Sequence, residues 1–248
     1  MKVLIFDIET APLRGYFWRI WKENIGYNQL IDEWFMLTWA AKWLDEDEVI
    51  YDSTHLHGAH DDDTPILESL HALLDEADVV VAHNGNRFDI PKVNARFLQK
   101  GILPPSPYKS IYTFQLAKRQ FSFTSNLLDG IAKFLGLGEK VDTGGFELWE
   151  RCLQGETAAF EDMIKYNIQD VVLLEKVYKE MRPWIPNHPN IANFADATDA
   201  CPKCGEKSLQ KRGFSYTQVG KYQRFQCTSC GGWSRGRLTV RDREENKG

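Results

Sequence analysis

Two periodicities alternate along the chain. Val3, Leu4, Ile5 and Phe6 form an unbroken apolar run of β-forming residues, which predicts a strand buried on both faces. Leu37 to Leu44 and Val49 to Asp52 read as a hairpin around the acidic turn Asp45, Glu46, Asp47, Glu48. Leu67, Leu70, Leu73 and Leu74 then recur at helical spacing, and Asp78 to Ala82 reads as another strand, running through His83 and Asn84 into the loop Gly85, Asn86, Arg87. The order is β-β-β-α-β. Ile90, Val93, Ala95, Phe97 and Leu98 mark an amphipathic helix with Pro91 in its first turn, and Pro104, Pro105 and Pro107 enforce an extended connector. A short helix is expected within Ser125 to Gly138, with Ser125 as N-cap and Gly136 as its end. From Glu161 to Met181 neither glycine nor proline interrupts a long helical pattern. Strands alternating with helices predict an α/β fold.

Acidic residues break these patterns at three places. Asp7 and Glu9, two apart at the end of the first strand, share a face. A carboxylate ending so apolar a run either caps the following loop or binds a cation, because an unpaired buried charge is costly. Asp89 opens the helix after the second strand-loop and reads equally well as its N-cap. Asp170 is harder to accommodate. It lies on the face Met163, Tyr166, Asp170, Leu173, Leu174, Val177, Met181, and an acid in such an apolar stripe calls for a cation or an edge position near water or Lys165. If the segments converge, four carboxylates meet, and hard divalent ions such as Mg²⁺ or Mn²⁺ are their natural partners. Two such ions a few ångströms apart suit phosphodiester hydrolysis. Tyr166, one turn before Asp170, would orient the attacking water; its phenol is a weak base at neutral pH.

The segments VLIFDIET, HNGNRFDIP and KYNIQDVVLL resemble, in that order, the three motifs of the DEDD exonuclease superfamily, whose RNase H-like fold is a mixed sheet flanked by helices. The spacing from Tyr166 to Asp170 is similar to the tyrosine branch, since position 165, where the histidine branch would have its histidine, is lysine. The second segment is especially similar to the proofreading motif of family B DNA polymerases. The resemblance implies that Asp7, Glu9 and Asp170 hold one of two Mg²⁺ ions. Asp7 would bridge to the second, and Asp89 would bind that second ion through water. It also implies that Thr10, Asn84, Phe88 and Asn126 meet nucleic acid, and it supplies the 3′→5′ polarity.

Between Thr10 and Met36 the chain departs from shorter family members. Tyr16, Phe17, Trp18, Trp21, Tyr27, Trp34 and Phe35 are interleaved there with Arg14, Arg19 and Lys22. Such rings either pack the segment onto the sheet or form a stacking surface for single strands, and burial is the commoner use. His55, His57 and His60 beside Asp61, Asp62 and Asp63 read as a solvated loop.

The composition changes near residue 183. Pro183, Pro186 and Pro189 punctuate a linker, after which come Cys201-Pro-Lys-Cys204-Gly and Cys227-Thr-Ser-Cys230-Gly, 22 residues apart. Two such pairs predict a zinc ribbon holding one structural Zn²⁺. A disulfide framework would leave Cys152 over, and MKVLIFDIET has no secretory character, so an intracellular, cytoplasmic setting is expected. The expected domains are residues 1–185, a linker over 186–199, the ribbon over 200–240 and a polar tail over 241–248. Residues 199–248 hold 11 Lys and Arg against 5 Asp and Glu, leaving 19 against 30 in residues 1–198. A basic module joined to an acidic one points to the ribbon as a landing place for nucleic acid. Phe214, Tyr216, Tyr222, Phe225 and Trp233 stand among its cations. No apolar run is long enough to span a membrane.

These features predict a Mg²⁺-dependent 3′→5′ exonuclease acting on single-stranded DNA or frayed 3′ ends and releasing 5′-mononucleotides. Trimming of RNA 3′ ends is the alternative within enzymes. A retired nuclease scaffold that recruits a replication or repair protein through the ribbon is the alternative outside them.

Overall fold

The structure is a computed structural model that describes the chain apart from residues 59–60, 141–143, 195–198 and 242–248, with the backbone alone at 194. His60, part of the expected linker and nearly all of the polar tail therefore lie outside the described residues. Two compact units divide the chain, one over residues 2–177 and one over residues 178–248 together with Met1.

In the larger unit the strands are β1 (Val3–Thr10), β2 (Arg14–Gly15), β3 (Leu30–Asp32), β4 (Met36–Trp43), β5 (Ile50–Ser53), β6 (Val79–Ala82) and β7 (Lys109–Tyr112). The helices are α1 (Thr64–Glu76), α2 (Asp89–Lys100), α3 (Thr113–Gln120), α4 (Leu128–Leu135), α5 (Glu147–Leu153) and α6 (Thr157–Met181), whose residues from Tyr178 on fall in the smaller unit. A five-stranded mixed sheet runs β5-β4-β1-β6-β7. β1 lies at its centre, antiparallel to β4 and parallel to β6. This is the mixed sheet flanked by helices that an RNase H-like fold requires, and the β-β-β-α-β opening is present within it.

The sheet is covered on both faces, which explains why β1 is apolar at successive positions rather than alternate ones. Leu4, Phe6 and Ile8 pack with Ile66, Leu67, Val93 and Phe97, so α1 and α2 cover that face. A second cluster joins Leu37 to Leu148, Phe160 and Met163, bringing in α5 and α6. Asp7 and Glu9 alternate with Phe6 and Ile8 and so point away from the α1–α2 layer. The register with β4 shifts between Glu9 and Thr10, immediately beside the acids.

Three expectations need correction. Asp63 does not sit in a solvated loop: it is fully buried and receives two bonds of 2.6 Å from Arg96, while one of its oxygens also accepts the Met36 N–H at 2.9 Å. A run of three acids looks solvated in one dimension, but only its last member turns inward, where the guanidinium fork satisfies both oxygens. Ser125 is not the N-cap of α4: Leu127 is, with Ser125 accepting its N–H at 3.3 Å. Most aromatic side chains between Thr10 and Met36 do not pack on the sheet. Tyr16, Phe17, Trp18, Trp21 and Tyr27 are exposed, whereas Trp34 and Phe35 are half-buried.

The smaller unit contains a three-stranded antiparallel sheet, ordered β10-β9-β8, from β8 (Leu209–Tyr216), β9 (Lys221–Cys227) and β10 (Trp233–Thr239). Two tight turns carry the cysteine pairs. Gly205 and Gly231 close them in the left-handed region, at φ of 82° and 74°, where a side chain is strained. Among the described residues no helix is long and apolar enough to cross a membrane.

Candidate metal centre and nucleic-acid interface

Asp7, Glu9 and Asp170 are brought together although 163 positions separate the first from the last: ligand oxygens of all three lie within 4.8 Å of one another. β1 supplies two of them by its alternation, and α6 supplies the third. Asp89 stands outside that tight group, at the first turn of α2, but its charge acts on Asp7 more strongly than that of Glu9 or Asp170. It is 2% exposed, and it accepts the Ile8 N–H. As the first residue of α2 it follows the cap position, which Phe88 occupies.

The electrostatics of the cluster are those of a cation site. Burial, then the charges of Asp89, Glu9 and Asp170, push the Asp7 carboxyl well above its ordinary range. Burial and Asp170 push Glu9 up to about 8. Burial raises Asp89 to about 6. Asp170, 3% exposed, is raised by burial against the pull of Lys140. One oxygen of Asp89 and one of Asp170 are buried with no hydrogen-bond partner. Orphaned buried carboxylate oxygens are rare, and a hard divalent cation satisfies them. The donor set therefore fits Mg²⁺ or Mn²⁺.

Two contacts here were not foreseen from sequence. Lys140 donates to Asp170, and to the Tyr166 hydroxyl at 3.0 Å. Its loop is held by Asp129, which accepts the Lys140 N–H at 3.0 Å, and by Gln169, which donates to the Glu139 carbonyl at 2.8 Å. Burial alone depresses the ammonium, but Asp170 and Tyr166 raise it above the ordinary lysine range, so it is charged. The cation that Asp170 demanded is Lys140; the neighbouring Lys165 is exposed and 3.4 Å from Asp162. Asn167, fully buried, donates to Asp7 at 2.8 Å and fixes that carboxylate. Tyr166 is half-buried, its ring edge-on to Trp149, and burial with Asp170 pushes its phenol up to about 12. At neutral pH it is a hydroxyl.

Next to the acids lies a cavity of about 550 Å³ lined by Thr10, Ala11, Leu13, Trp34, Lys92 and Trp149. Trp149 also hydrogen-bonds Glu9. Lys92 places its ammonium 3.7 Å from the Trp34 ring centre and 3.3 Å from the Thr10 hydroxyl, with the Phe88 ring 5.1 Å away. Thr10 and Phe88 thus both neighbour Lys92. Asn84 has a buried, unpartnered side-chain oxygen, and so does Asn126. The Asn126 carbonyl is held by His83 at 3.1 Å, while the other ring nitrogen of His83 meets Thr113 at 2.8 Å.

In the smaller unit Cys201, Cys204, Cys227 and Cys230 offer sulfurs that all lie within 4.8 Å of one another. The Cys201–Cys230 and Cys204–Cys227 separations are 3.8 and 3.7 Å. A tetrahedron with Zn–S bonds of about 2.3 Å has edges of about 3.8 Å, so the spacing suits Zn²⁺. The N–H groups of Lys203 and Gly232 point at Cys201 and Cys230 sulfurs, each at 3.4 Å, which would support thiolates. Beyond the cysteines, three rings of the sheet carry cations: Lys221 lies 4.0 Å from Phe214, Arg224 4.8 Å from Trp233 and Arg235 4.5 Å from Tyr222.

A family model described as the RNase H superfamily matches residues 4–182. No curated protein matches the chain. Among solved structures, the family B DNA polymerase from the hyperthermophilic archaeon Pyrobaculum calidifontis shares the fold, with a TM-score of 0.56 at 15% sequence identity. That likeness covers 88% of this chain and 31% of the polymerase, so the chain spans about a third of that protein's length.

Proposed function

The chain belongs to the RNase H superfamily, and from that premise we propose that it is a 3′→5′ exonuclease of the tyrosine branch, hydrolysing single-stranded DNA or frayed 3′ ends to 5′-mononucleotides. The observation that carries the reading is the meeting of Asp7, Glu9 and Asp170 within 4.8 Å, with Asp89 acting on Asp7. Asp7, Glu9 and Asp170 would hold one Mg²⁺, and Asp7 with Asp89 a second. When bound, such ions lower the pKa of a coordinated water and stabilise the departing oxygen of a phosphodiester.

The chain's own residues then have distinct tasks. Asn167 orients the Asp7 carboxylate through its amide. Tyr166, a hydroxyl at working pH, accepts from Lys140 and donates to the Asp170 carboxylate, and from that fixed place it would orient the attacking water rather than deprotonate it. Lys140 positions Tyr166 and Asp170 together. The cavity of Thr10, Trp34 and Trp149 is apolar enough to receive a terminal base, and Lys92 offers its phosphate a charge. In the ribbon, Zn²⁺ on the four cysteines would stabilise a unit too small for a hydrophobic core.

The test is direct. End-labelled single-stranded DNA, with RNA of the same sequence in parallel, is incubated with and without Mg²⁺. Stepwise shortening of DNA from the 3′ end, absent without the metal and abolished in Asp7→Ala, is expected. Full activity of Asp7→Ala would overturn the reading, and faster shortening of RNA would reassign the substrate.

A further inference from the structure

We propose that the exposed loop of residues 16–27 is a stacking platform for the unpaired bases of the strand whose end enters the Thr10–Trp149 cavity. This rests on the nuclease reading above and extends it from the terminal nucleotide to the strand behind it.

The loop ties its own polar groups together: the Glu23 carboxylate accepts the Arg19 N–H at 2.5 Å and the Gln29 amide at 3.3 Å. Gln29 also donates to the Tyr16 carbonyl at 3.0 Å and accepts the Gly26 N–H at 2.7 Å. Hydrogen bonding to Trp18 and Arg19 holds the Glu23 carboxyl below the ordinary range, so it stays charged. Lys22 makes the turn at φ 57°. The loop therefore has a shape of its own, closed at its base by β2 and β3 and by the Tyr16 N–H bond to Gln29 at 2.8 Å.

Its rings turn outward. Trp18 is 91% exposed and Trp21 80%, and Tyr16, Phe17 and Tyr27 are exposed beside Ile20 and Ile25. Leaving so many large apolar side chains in water forgoes their burial, and such a group on a loop whose polar groups are satisfied marks a binding surface. Three observations select single-stranded nucleic acid as the occupant. The rings are mainly aromatic, and flat π-faces stack any base. Arg19 and Lys22 are exposed among them while the only acid of residues 16–27, Glu23, is engaged by the Arg19 N–H and the Gln29 amide, so the charges left free for phosphates are cationic. Both stems of the loop, at Leu13 and Trp34, line the cavity beside the acids, so a strand leaving the cavity meets the loop next.

The experiment measures oligodeoxythymidylate binding by the full chain carrying Asp7→Asn, without added Mg²⁺, with and without Trp18→Ala plus Trp21→Ala. Stacking on two rings should be worth at least about tenfold in affinity. Loss of that order for a 16-mer with less than twofold loss for a 4-mer is expected, with recovery in the Trp→Phe pair, whose rings still stack. Arg19→Gln with Lys22→Gln should flatten the salt dependence by about two charges. Unchanged 16-mer affinity, or equal losses at both lengths, overturns the proposal. So does a dimer or binding to phosphatidylglycerol vesicles that depends on Trp18 and Trp21 while oligonucleotide affinity does not. Binding is read without cleavage, so failure of the nuclease assay and failure of the platform are separate results.

Discussion

Asp170 and Tyr166 stand one helical turn apart, and Lys140 touches both. Because Tyr166 keeps its proton until about pH 12, Tyr166→Phe should lower the rate of 3′-end cleavage by some 10²-fold or less, the scale of a lost orienting or proton-transfer contact. An unaltered rate would leave the phenol a packing residue. The carboxyl shifts make a second prediction. Glu9 at about 8 and Asp89 at about 6 titrate above their unfolded values, so the folded chain binds more protons over that interval. Their contribution to stability is complete below pH ~4 and is lost as pH rises through the folded values. A divalent ion favours the ionised forms, so the gain in Tm from millimolar Mg²⁺ should be small at pH 5 and several degrees by pH 8, read by thermal melting. A gain independent of pH would contradict it. The carboxylates themselves were legible in sequence because acids in apolar runs need an explanation. Lys140 and Asn167 were not, since a lysine after Gly138 reads as solvated, and Asn167 lies beside the apolar stripe, outside its pattern.

At the scale of elements, the loop from β6 into α2 sets where Asn84, Phe88 and Asp89 stand. Gly85 is its tightest point: a Cβ added there would lie 2.7 Å from the Ala82 Cβ and 2.8 Å from the Tyr112 ring. Strand β6 holds Ala82, β7 holds Tyr112, and the two pair directly, so neither can retreat without breaking the ladder. Gly85→Ala should therefore cost about 1–3 kcal/mol by denaturant unfolding and slow cleavage further than the stability loss alone accounts for, because Asp89 moves with the loop. Cleavage unaffected in a folded Gly85→Ala chain would separate the loop from the site. Strands and helices here were legible from periodicity, which is a local property. The buried Asp63–Arg96 pair was not, because it joins residues 33 apart and each stands beside an exposed polar or small residue, Asp62 and Ala95. Nor was the outward turn of the rings in residues 16–27. Aromatic content predicts burial, and the hydrogen bonds among Glu23, Gln29 and the loop backbone, which give the loop a shape without its rings, cannot be read from composition.

The whole molecule divides its charge. Residues 199–248 carry 11 cationic against 5 acidic side chains, and residues 1–198 carry 19 against 30. On the proposed reading, polyanionic DNA would be repelled by the acidic part except where cations bind, and its long-range attraction would fall to the basic end. Phe214, Tyr216 and Trp233 stay substantially exposed there, so on the proposed reading a zinc ion on the four sulfurs would stabilise that end more than burial does. Cys227→Ser with Cys230→Ser should therefore abolish a stoichiometric zinc measured by elemental analysis and unfold the small sheet, scattering Arg224, Arg235 and Lys221 from their rings. Affinity for single-stranded DNA should then fall, and the slope of log affinity against log salt should flatten by several charges. Turnover at saturating substrate should stay within about twofold of the parent, because the ribbon's cations act on encounter rather than on the bond being cut. Loss of zinc with no change in affinity or salt slope would assign the ribbon to a protein partner, and loss of turnover at saturation would tie it to the chemistry.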